Sequence, residues 1–168
     1  MPFSLIPDRV FSDYQDISPE LLQQNGIRLL LCDLDYTLAP RSVPAPDDRL
    51  LAWLDGCASV GEQVVILSNN RSPVRVERFC GSLGIPYVGH AQKPSRRGYR
   101  RAMEQAGTAC EETAMLGDKL LTDVLGAKRS GITAWMVEPL GGPVGIWNHI
   151  LHILQRPFKR IARRRKDL

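Results

Sequence analysis

Apolar runs of strand length recur along the chain, and each is bounded by polar residues or glycine. There are five: RLLLCD at 28–33, VVILS at 64–68, PYVG at 86–89, TAMLG at 113–117 and ITAWMV at 132–137. All but the third are nearly continuous in Leu, Ile, Val, Ala and Met, which is typical of strands buried on both faces of a sheet. We therefore predict five strands, four of them buried on both faces.

Helix-length segments separate these runs, at 47–59, 72–83, 94–106 and 121–130. Glycine follows the last three segments, and glycine just past a helix is a common stop signal. Alternating strands and helices favour a parallel sheet with right-handed crossovers. The pattern predicts an α/β fold, with a doubly wound, Rossmann-like parallel sheet in three layers.

The alternation ends after the fifth strand. A loop rich in Gly and Pro, PLGGPVG, occupies 139–145. Beyond it apolar residues recur at steps of three and four, which predicts an amphipathic helix interrupted by Pro157. Its apolar positions are Ile146, Trp147, Ile150, Leu151, Leu154, Phe158 and Ile161. We divide the chain into a domain at 1–138 and a C-terminal extension at 139–168. Trp147 is open to two interpretations, core packing or anchoring in a membrane interface.

Length and composition exclude several classes of protein. The chain has 168 residues, 43% hydrophobic and 24% charged, which is about one globular domain and not a disordered or collagen-like chain. No apolar run approaches the ~20 residues that span a bilayer, and the N-terminus lacks the pattern of a signal peptide. The four cysteines are scattered, so we expect reduced thiols in a cytoplasmic protein.

The positive net charge is concentrated at one end of the chain. Residues 156–168 hold seven Lys and Arg against one Asp, although the whole chain carries only +4. The preceding residues are therefore net negative. A basic end predicts an anionic partner: a lipid surface, a nucleic acid or an acidic protein.

Polar residues that could take part in catalysis or ligand binding follow four of the predicted strands. In an open parallel sheet, ligands bind at the carboxyl ends of the strands, so these residues should meet at one edge. They are Asp33, Asp35 and Thr37 after the first strand, Ser68 and Asn69 after the second, Lys93 after the third, and Asp118 and Asp123 after the fourth.

This set is suited to phosphoryl chemistry. Asp33 and Asp118 offer hard oxygen ligands for Mg²⁺. A carboxylate beside Mg²⁺ can attack phosphorus, and Asp35 can protonate the leaving group and later activate water. The groups suited to holding phosphoryl oxygens and neutralising their charge are Ser68, the backbone N–H of Asn69, and Lys93.

Four segments resemble the motifs of the haloacid dehalogenase (HAD) superfamily, in the same order: DLDYT, the serine after the second strand, AQKPS and GDKLLTD. The resemblance implies a nucleophile at Asp33, an acid and base at Asp35, and substrate contacts from Thr37, Ser68 and Asn69. It also implies Mg²⁺ held by Asp33, the backbone carbonyl of Asp35, and Asp118. Asp123 would be a further ligand or a support.

Residues 5–138 are similar to the YqeG-like branch of class III HAD phosphatases, which in turn is similar to phosphatidylglycerophosphate phosphatases. The segments that carry this likeness are SLIPDRVFSDYQDISPELLQQNGIRLLLCDLDYTL, AQKPS and GDKLLTDVLGAKRSG. Tyr36 is a departure, because many members have asparagine there. The resemblance implies phosphatidylglycerophosphate as substrate and phosphatidylglycerol as product.

No cap domain fits this chain. Caps of HAD enzymes are inserted at places that correspond here to 38–63 and 71–92, and each stretch is consumed by one helix and its connections. An open site favours a large or membrane-bound phosphoester, or a cap from a neighbouring subunit, and the basic end favours the first. We therefore expect an anionic phospholipid headgroup as substrate and peripheral contact of the basic segment with the inner face of an anionic membrane.

Two alternatives stay open. Other capless HAD phosphatases act on phosphoproteins or nucleic acid ends. The basic end could instead dock on RNA or the ribosome, although nucleic acid is the less favoured partner. On the helix predicted after Lys93, a cluster of Arg96, Arg97, Arg100 and Arg101 indicates either a solvated face or a headgroup site.

Overall fold

The sheet of the computed structural model, which describes residues 4–166, contains six parallel strands. They are β1 (Arg9–Phe11), β2 (Leu29–Cys32), β3 (Gln63–Leu67), β4 (Tyr87–Val88), β5 (Thr113–Gly117) and β6 (Thr133–Val137). The five predicted strands are confirmed as β2 to β6. β1 is additional. It has three residues, too few for a hydrophobic period to be visible in the sequence.

Six α-helices connect and cover the strands. They are α1 (Pro19–Gln24), α2 (Asp48–Ser59), α3 (Pro73–Cys80), α4 (Arg96–Ala106), α5 (Leu125–Ser130) and α6 (Ile146–Lys166). The predicted helices correspond to α2 to α6. A single π-helical turn, Leu120–Val124, leads into α5. Such turns are frequent at functional sites.

The strand order is β1-β6-β5-β2-β3-β4. The chain builds outward from β2 through β3 to β4, and then crosses back to place β5 on the other side of β2. In register, Cys32 pairs with both Ile66 and Leu116. The point where strand order reverses therefore lies between β2 and β5, and their carboxyl ends open side by side into one crevice.

Two apolar clusters cover the two faces of the sheet. One packs Trp53 of α2 and Phe79 of α3 against the sheet, and the other packs Tyr99 of α4 and Ala127 of α5 against the opposite face. Every residue of β2 and β5 is buried. The predicted three-layer α/β fold is confirmed.

The stretches where a cap would be inserted contain no extra domain. Residues 38–63 hold a loop, α2 and the start of β3, and residues 71–92 hold α3 and β4. The carboxyl edge of the sheet is therefore not roofed by an insertion.

The C-terminal helix α6 runs without a break through Pro157, so the predicted interruption is wrong. Proline at this position deprives the Ile153 carbonyl of its helical hydrogen bond. Ile153 is exposed, so water can satisfy that carbonyl and the helix continues. The first three residues of the predicted domain and the last two of the extension lie outside the described residues. Within 4–166, no helix combines the length and the apolar character needed to cross a bilayer.

Candidate active site

Lys93 lies at the centre of the carboxyl edge. Its Nζ is 2.8 Å from Oδ1 of Asp33 and 2.7 Å from Oδ1 of Asp123. Burial alone would lower the pKa of Lys93, but the charges of Asp123 and Asp33 outweigh it and raise that pKa. The ammonium therefore stays charged and holds two carboxylates from two different strand ends.

Asn69 clamps the backbone of Lys93. The Lys93 N–H donates to Oδ1 of Asn69 at 2.6 Å, and Nδ2 of Asn69 donates to the Lys93 carbonyl at 2.9 Å. The Asn69 side chain thus positions Lys93. Ser68 beside it is buried, and its Oγ accepts a hydrogen bond from the Asn70 N–H. The sequence did not indicate the clamp, because its partners lie 24 residues apart.

Asp123 is fixed on both of its carboxylate oxygens. Oδ1 accepts from Lys93, and Oδ2 accepts from the Lys119 N–H at 3.1 Å. Gly117 makes room for this carboxylate, since a Cβ there would collide with it. Tyr99 donates to the carbonyls of Thr122 and Asp123 and holds the π-helical turn. Of the two roles implied for Asp123, this geometry favours the support.

Asp118 is in the opposite situation. Its Oδ1 is buried without a hydrogen-bond partner in the described residues, and the Lys119 Nζ is 3.8 Å away, beyond hydrogen-bond range. Burial first, and the charge of Asp33 second, raise the pKa of Asp118 to about 7. An orphaned buried carboxylate oxygen needs a positive partner.

A divalent cation fits this cluster. Asp33, Asp118 and Asp123 can each offer a carboxylate oxygen within 4.8 Å of the others. Lys93 supplies a single buried positive charge against these three buried carboxylates. The excess negative charge and the all-oxygen ligands are what hard divalent cations require.

Asp35 is held by an arginine from α3. Nε and Nη2 of Arg75 each lie 3.2 Å from Oδ1 of Asp35. The same guanidinium also donates to the carbonyls of Val43 and Pro40, at 2.5 and 3.3 Å. Arg75 therefore connects Asp35 to residues 40–43, farther along the loop that follows β2. The sequence reasoning missed this residue, because no motif singles it out.

Two residues of the loop after Asp35 have unusual surroundings. Tyr36 has a φ of 66°, in the left-handed region that tyrosine rarely adopts, and backbone hydrogen bonds with Ala39 and Leu140 hold it there. Its ring lies against Lys119, with Nζ 5.9 Å from the ring centroid. Thr37 is fully buried, and its Oγ1 has no hydrogen-bond partner among residues 4–166.

Helix α6 forms one wall of a recess beside Asp118. Tyr36, Asp118 and Lys119 line one side, and the facing wall is built by Asn148, Leu151, His152 and Gln155. Gln155 is buried, and its Oε1 accepts from the Leu120 N–H in the π-helical turn. These four residues belong to the C-terminal extension predicted at 139–168, and the structure shows that the extension contacts the site.

Residues 90–139, which include Lys93, Asp118 and Asp123, match the HAD-hydrolase-like family model. The chain is 34% identical over 140 residues to "Probable phosphatase YqeG" of Bacillus subtilis, covering 83% of this chain and 81% of that protein. The chain belongs to the HAD superfamily, in its YqeG-like branch. The protein is accordingly a HAD-type phosphatase, and the resemblance of its four motifs is confirmed at the level of the family.

Two further proteins are similar to this chain. "Phosphatidylglycerophosphate phosphatase 1, chloroplastic" of Chlamydomonas reinhardtii is 28% identical over 152 residues, which cover 84% of this chain and 56% of that protein. The chain thus spans little more than half the length of that relative. The cobalt-bound deoxy-D-mannose-octulosonate 8-phosphate phosphatase of Haemophilus influenzae has a TM-score of 0.55 at 21% identity, over 76% of this chain and 75% of that one. At that identity the likeness concerns the fold alone.

Proposed function

We propose that the protein hydrolyses phosphomonoesters with Mg²⁺ through an aspartyl-phosphate on Asp33, and that its substrate is phosphatidylglycerophosphate. The observation that carries the proposal is the position of Asp33 at the reversal of strand order. There its carboxylate lies against Lys93 and close to the orphaned oxygen of Asp118. One of its two oxygens accepts from Lys93, and the other makes no hydrogen bond within the described residues.

Three oxygens would hold the metal: carboxylate oxygens of Asp33 and Asp118, and the backbone carbonyl of Asp35. The donor set is all oxygen, as Mg²⁺ prefers, and Asp123 would support it through Lys93 and the Lys119 N–H. When bound, Mg²⁺ would screen the repulsion between the anionic substrate and the carboxylates.

In the first step, the free oxygen of Asp33 attacks phosphorus and the bond from phosphorus to the substrate alcohol breaks. Asp35 gives its proton to the leaving oxygen, and Arg75 keeps the carboxyl group in place. Lys93 neutralises charge on the transferring group, a role consistent with its raised pKa.

In the second step, Asp35 takes a proton from a water molecule as the water oxygen attacks phosphorus. The bond between phosphorus and Asp33 breaks, which releases inorganic phosphate and restores the Asp33 carboxylate. The hydroxyl groups of Thr37 and Ser68 and the backbone N–H of Asn69 are proposed to hold the phosphoryl oxygens. The unpartnered hydroxyl of Thr37 supports its part in this.

A phospholipid substrate is supported by the name of the Chlamydomonas reinhardtii relative and by the absence of a cap in residues 38–92. With no insertion over the edge, the phosphorylated headgroup can enter while the acyl chains stay outside. The cationic side chains of residues 156–166 would attract an anionic membrane.

A substrate panel tests the proposal. Phosphatidylglycerophosphate in mixed micelles, an aryl phosphate, a phosphopeptide and a 5′-phosphorylated oligonucleotide are assayed with Mg²⁺ and with EDTA. We expect Mg²⁺-dependent release of phosphate, with the highest kcat/KM for the lipid. A higher kcat/KM for the phosphopeptide or the oligonucleotide would overturn the lipid assignment, and undiminished turnover in EDTA would overturn the metal requirement.

A further inference from the structure

The outward face of α6 is apolar and uncovered. We name this surface the outer stripe, and its six members are Ile146, Trp147, Ile150, Ile153, Leu154 and Ile161. Trp147 and Ile146 are 75% and 82% exposed, and the other four side chains are between 42% and 61% exposed. At helical spacing they fall within one arc of about 120°. Large apolar side chains this exposed, and contiguous along a helix, mark an interaction surface.

The opposite face of the same helix is already packed on the domain. Gln155, Lys159 and Ala162 are buried, and Phe158 packs against the apolar cluster of α4 and α5. Lys159 Nζ is 2.6 Å from Oε2 of Glu138. The outer stripe is therefore not a core face that has failed to find the sheet. It is a second apolar face on an anchored helix.

Cationic side chains border the outer stripe. No acidic residue occurs in Ile146–Lys166. Lys159 and Arg163 both pair with Glu138, whereas Arg156, Arg160, Arg164 and Arg165 make no ion pair with any residue in 4–166. Parallel pairing of two copies, stripe to stripe, would bring these arginines together. An apolar strip with free arginines along it is complementary to the surface of an anionic bilayer.

We propose that α6 lies in the interface of an anionic lipid bilayer with its outer stripe inserted. Leu151, which lines the recess beside Asp118, is one helical turn from Trp147 and from Leu154. Docking by the stripe therefore brings the recess to the level of the lipid headgroups. This deepens the proposed function, because it says how a headgroup that stays in the membrane reaches Asp33.

The tryptophans provide the measurement on the full chain. Trp147 is exposed, whereas Trp53 and Trp135 are 8% and 1% exposed. Emission is recorded while vesicles of phosphatidylglycerol and phosphatidylcholine are added. We expect a blue shift and protection from acrylamide, weakened by salt because the arginine contribution is screened. Vesicles of phosphatidylcholine alone should bind at least about tenfold more weakly, since only the apolar contribution remains.

Variants assign the signal to the stripe. Ile150→Gln with Leu154→Gln keeps Trp147 and should weaken vesicle binding at least about tenfold. The control is Leu83→Gln, an exposed leucine at the amino edge of the sheet, which should bind as the native chain does. A matched thermal midpoint in all three proteins shows that the substitutions leave the fold intact.

Three results would overturn the docking proposal. The first is an absent blue shift on anionic vesicles, and the second is equal binding by the stripe variant and the native chain. The third is a blue shift that arises without lipid, whether it grows with protein concentration or is produced by RNA alone. All of these fluorescence and binding measurements are made without hydrolysis of a substrate. A chain that binds vesicles but hydrolyses no phosphoester would therefore overturn the proposed function and leave the docking surface standing.

Discussion

The carboxyl edge of the sheet and the outer stripe of α6 reverse the usual distribution of residues in opposite ways. The edge buries three carboxylates and a lysine, groups that are ordinarily exposed. The stripe exposes a tryptophan and five aliphatic side chains. Burial of charge at the edge lowers the stability of the fold. Exposure of the stripe leaves unused the stabilisation that burial of its apolar side chains would provide. Neither region is arranged for stability, which indicates that each serves a function.

The two regions differ in how their side chains are partnered. At the edge Lys93 joins Asp33 to Asp123, and Asn69 holds the backbone of Lys93, so the geometry is fixed before any ligand arrives. On the stripe every side chain is at least 42% exposed, and none is held by a polar partner within residues 4–166. A preorganised, charged edge suits chemistry, and a broad uncovered apolar face suits a surface as partner.

One buried hydrogen bond links the inner face of α6 to the carboxyl edge, in addition to the side chains that line the recess. Gln155 reaches from the inner face of α6 to the Leu120 N–H, three residues from Asp123. Removing the extension would therefore also remove a wall of the recess. Point substitutions separate the regions more cleanly than truncation does.

The largest effect should come from Asp33→Asn. This change removes the attacking oxygen and one proposed metal ligand while the shape is kept, so phosphatase activity should fall by at least about 10⁴-fold. Vesicle binding by the same protein should equal that of the native chain, because α6 is untouched. Loss of vesicle binding in this variant would break the separation between the regions, and near-native turnover would remove Asp33 as the nucleophile.

Asp35→Asn should lower turnover by about 10² to 10⁴-fold for alkyl phosphates, which need a proton on the leaving oxygen. An aryl phosphate with a good leaving group should lose less. Metal binding should persist, since the proposed ligand at position 35 is the backbone carbonyl. The measurement is kcat for a series of leaving groups. Equal losses across the series would contradict the acid role.

Arg75→Gln should lower kcat by about 10 to 100-fold, because Asp35 loses the guanidinium that holds it. Arg75→Lys should recover only part of this, since one ammonium cannot reproduce the contacts to Asp35, Val43 and Pro40. Arg78→Gln is the matched control, an exposed arginine on the same helix. If kcat of Arg75→Gln depends on the leaving group as it does in the native enzyme, Arg75 does not act through Asp35.

The smallest effect concerns the attachment of α6. Lys159→Met should lower the free energy of unfolding by about 1 to 3 kcal/mol, because a buried ion pair with Glu138 is lost. Arg160→Met, an exposed neighbour, should change it by less than about 0.5 kcal/mol. Urea unfolding at neutral pH measures both. A Lys159→Met protein as stable as the native one would mean that this pair does not fix the helix.

The same ion pair should show in the acid limb of stability. Burial acts to raise the pKa of Glu138, but Lys159 and Arg163 outweigh it and lower that pKa from 4.5. A depressed carboxyl pKa stabilises the fold above the unfolded value and ceases to do so as the pH falls through the folded value. Between neutral pH and about pH 3.5, the Glu138→Gln protein should therefore lose less stability than the native chain. An acid limb identical to the native one would contradict this sign.

The sequence predicted most of the fold because β2, β3, β5 and β6 are buried on both faces and therefore read as continuous apolar runs. It missed β1, which is identified only by its pairing with β6. It also placed a break at Pro157, since whether the freed carbonyl of Ile153 meets water depends on tertiary position.

The candidate site also contains residues whose meeting the sequence predicted and one residue that it missed. Asp33, Lys93, Asp118 and Asp123 could be predicted to meet, because each follows a strand whose carboxyl end is at the same edge. Arg75 could not, since its link to Asp35 spans 40 residues and depends on how α3 packs. The seven apolar positions of the extension were visible, but only packing shows that Leu151 and Phe158 turn inward while Trp147 turns outward.

Chemical trapping of the acyl phosphate tests the central claim most directly. The enzyme is mixed with substrate and Mg²⁺, quenched during turnover and reduced with borohydride, which converts an aspartyl-phosphate to homoserine. We predict homoserine at Asp33 alone in the peptide map, and none without substrate or in Asp33→Asn. Continued hydrolysis with Asp33 unmodified, or homoserine at Asp35, Asp118 or Asp123 instead, would contradict the account.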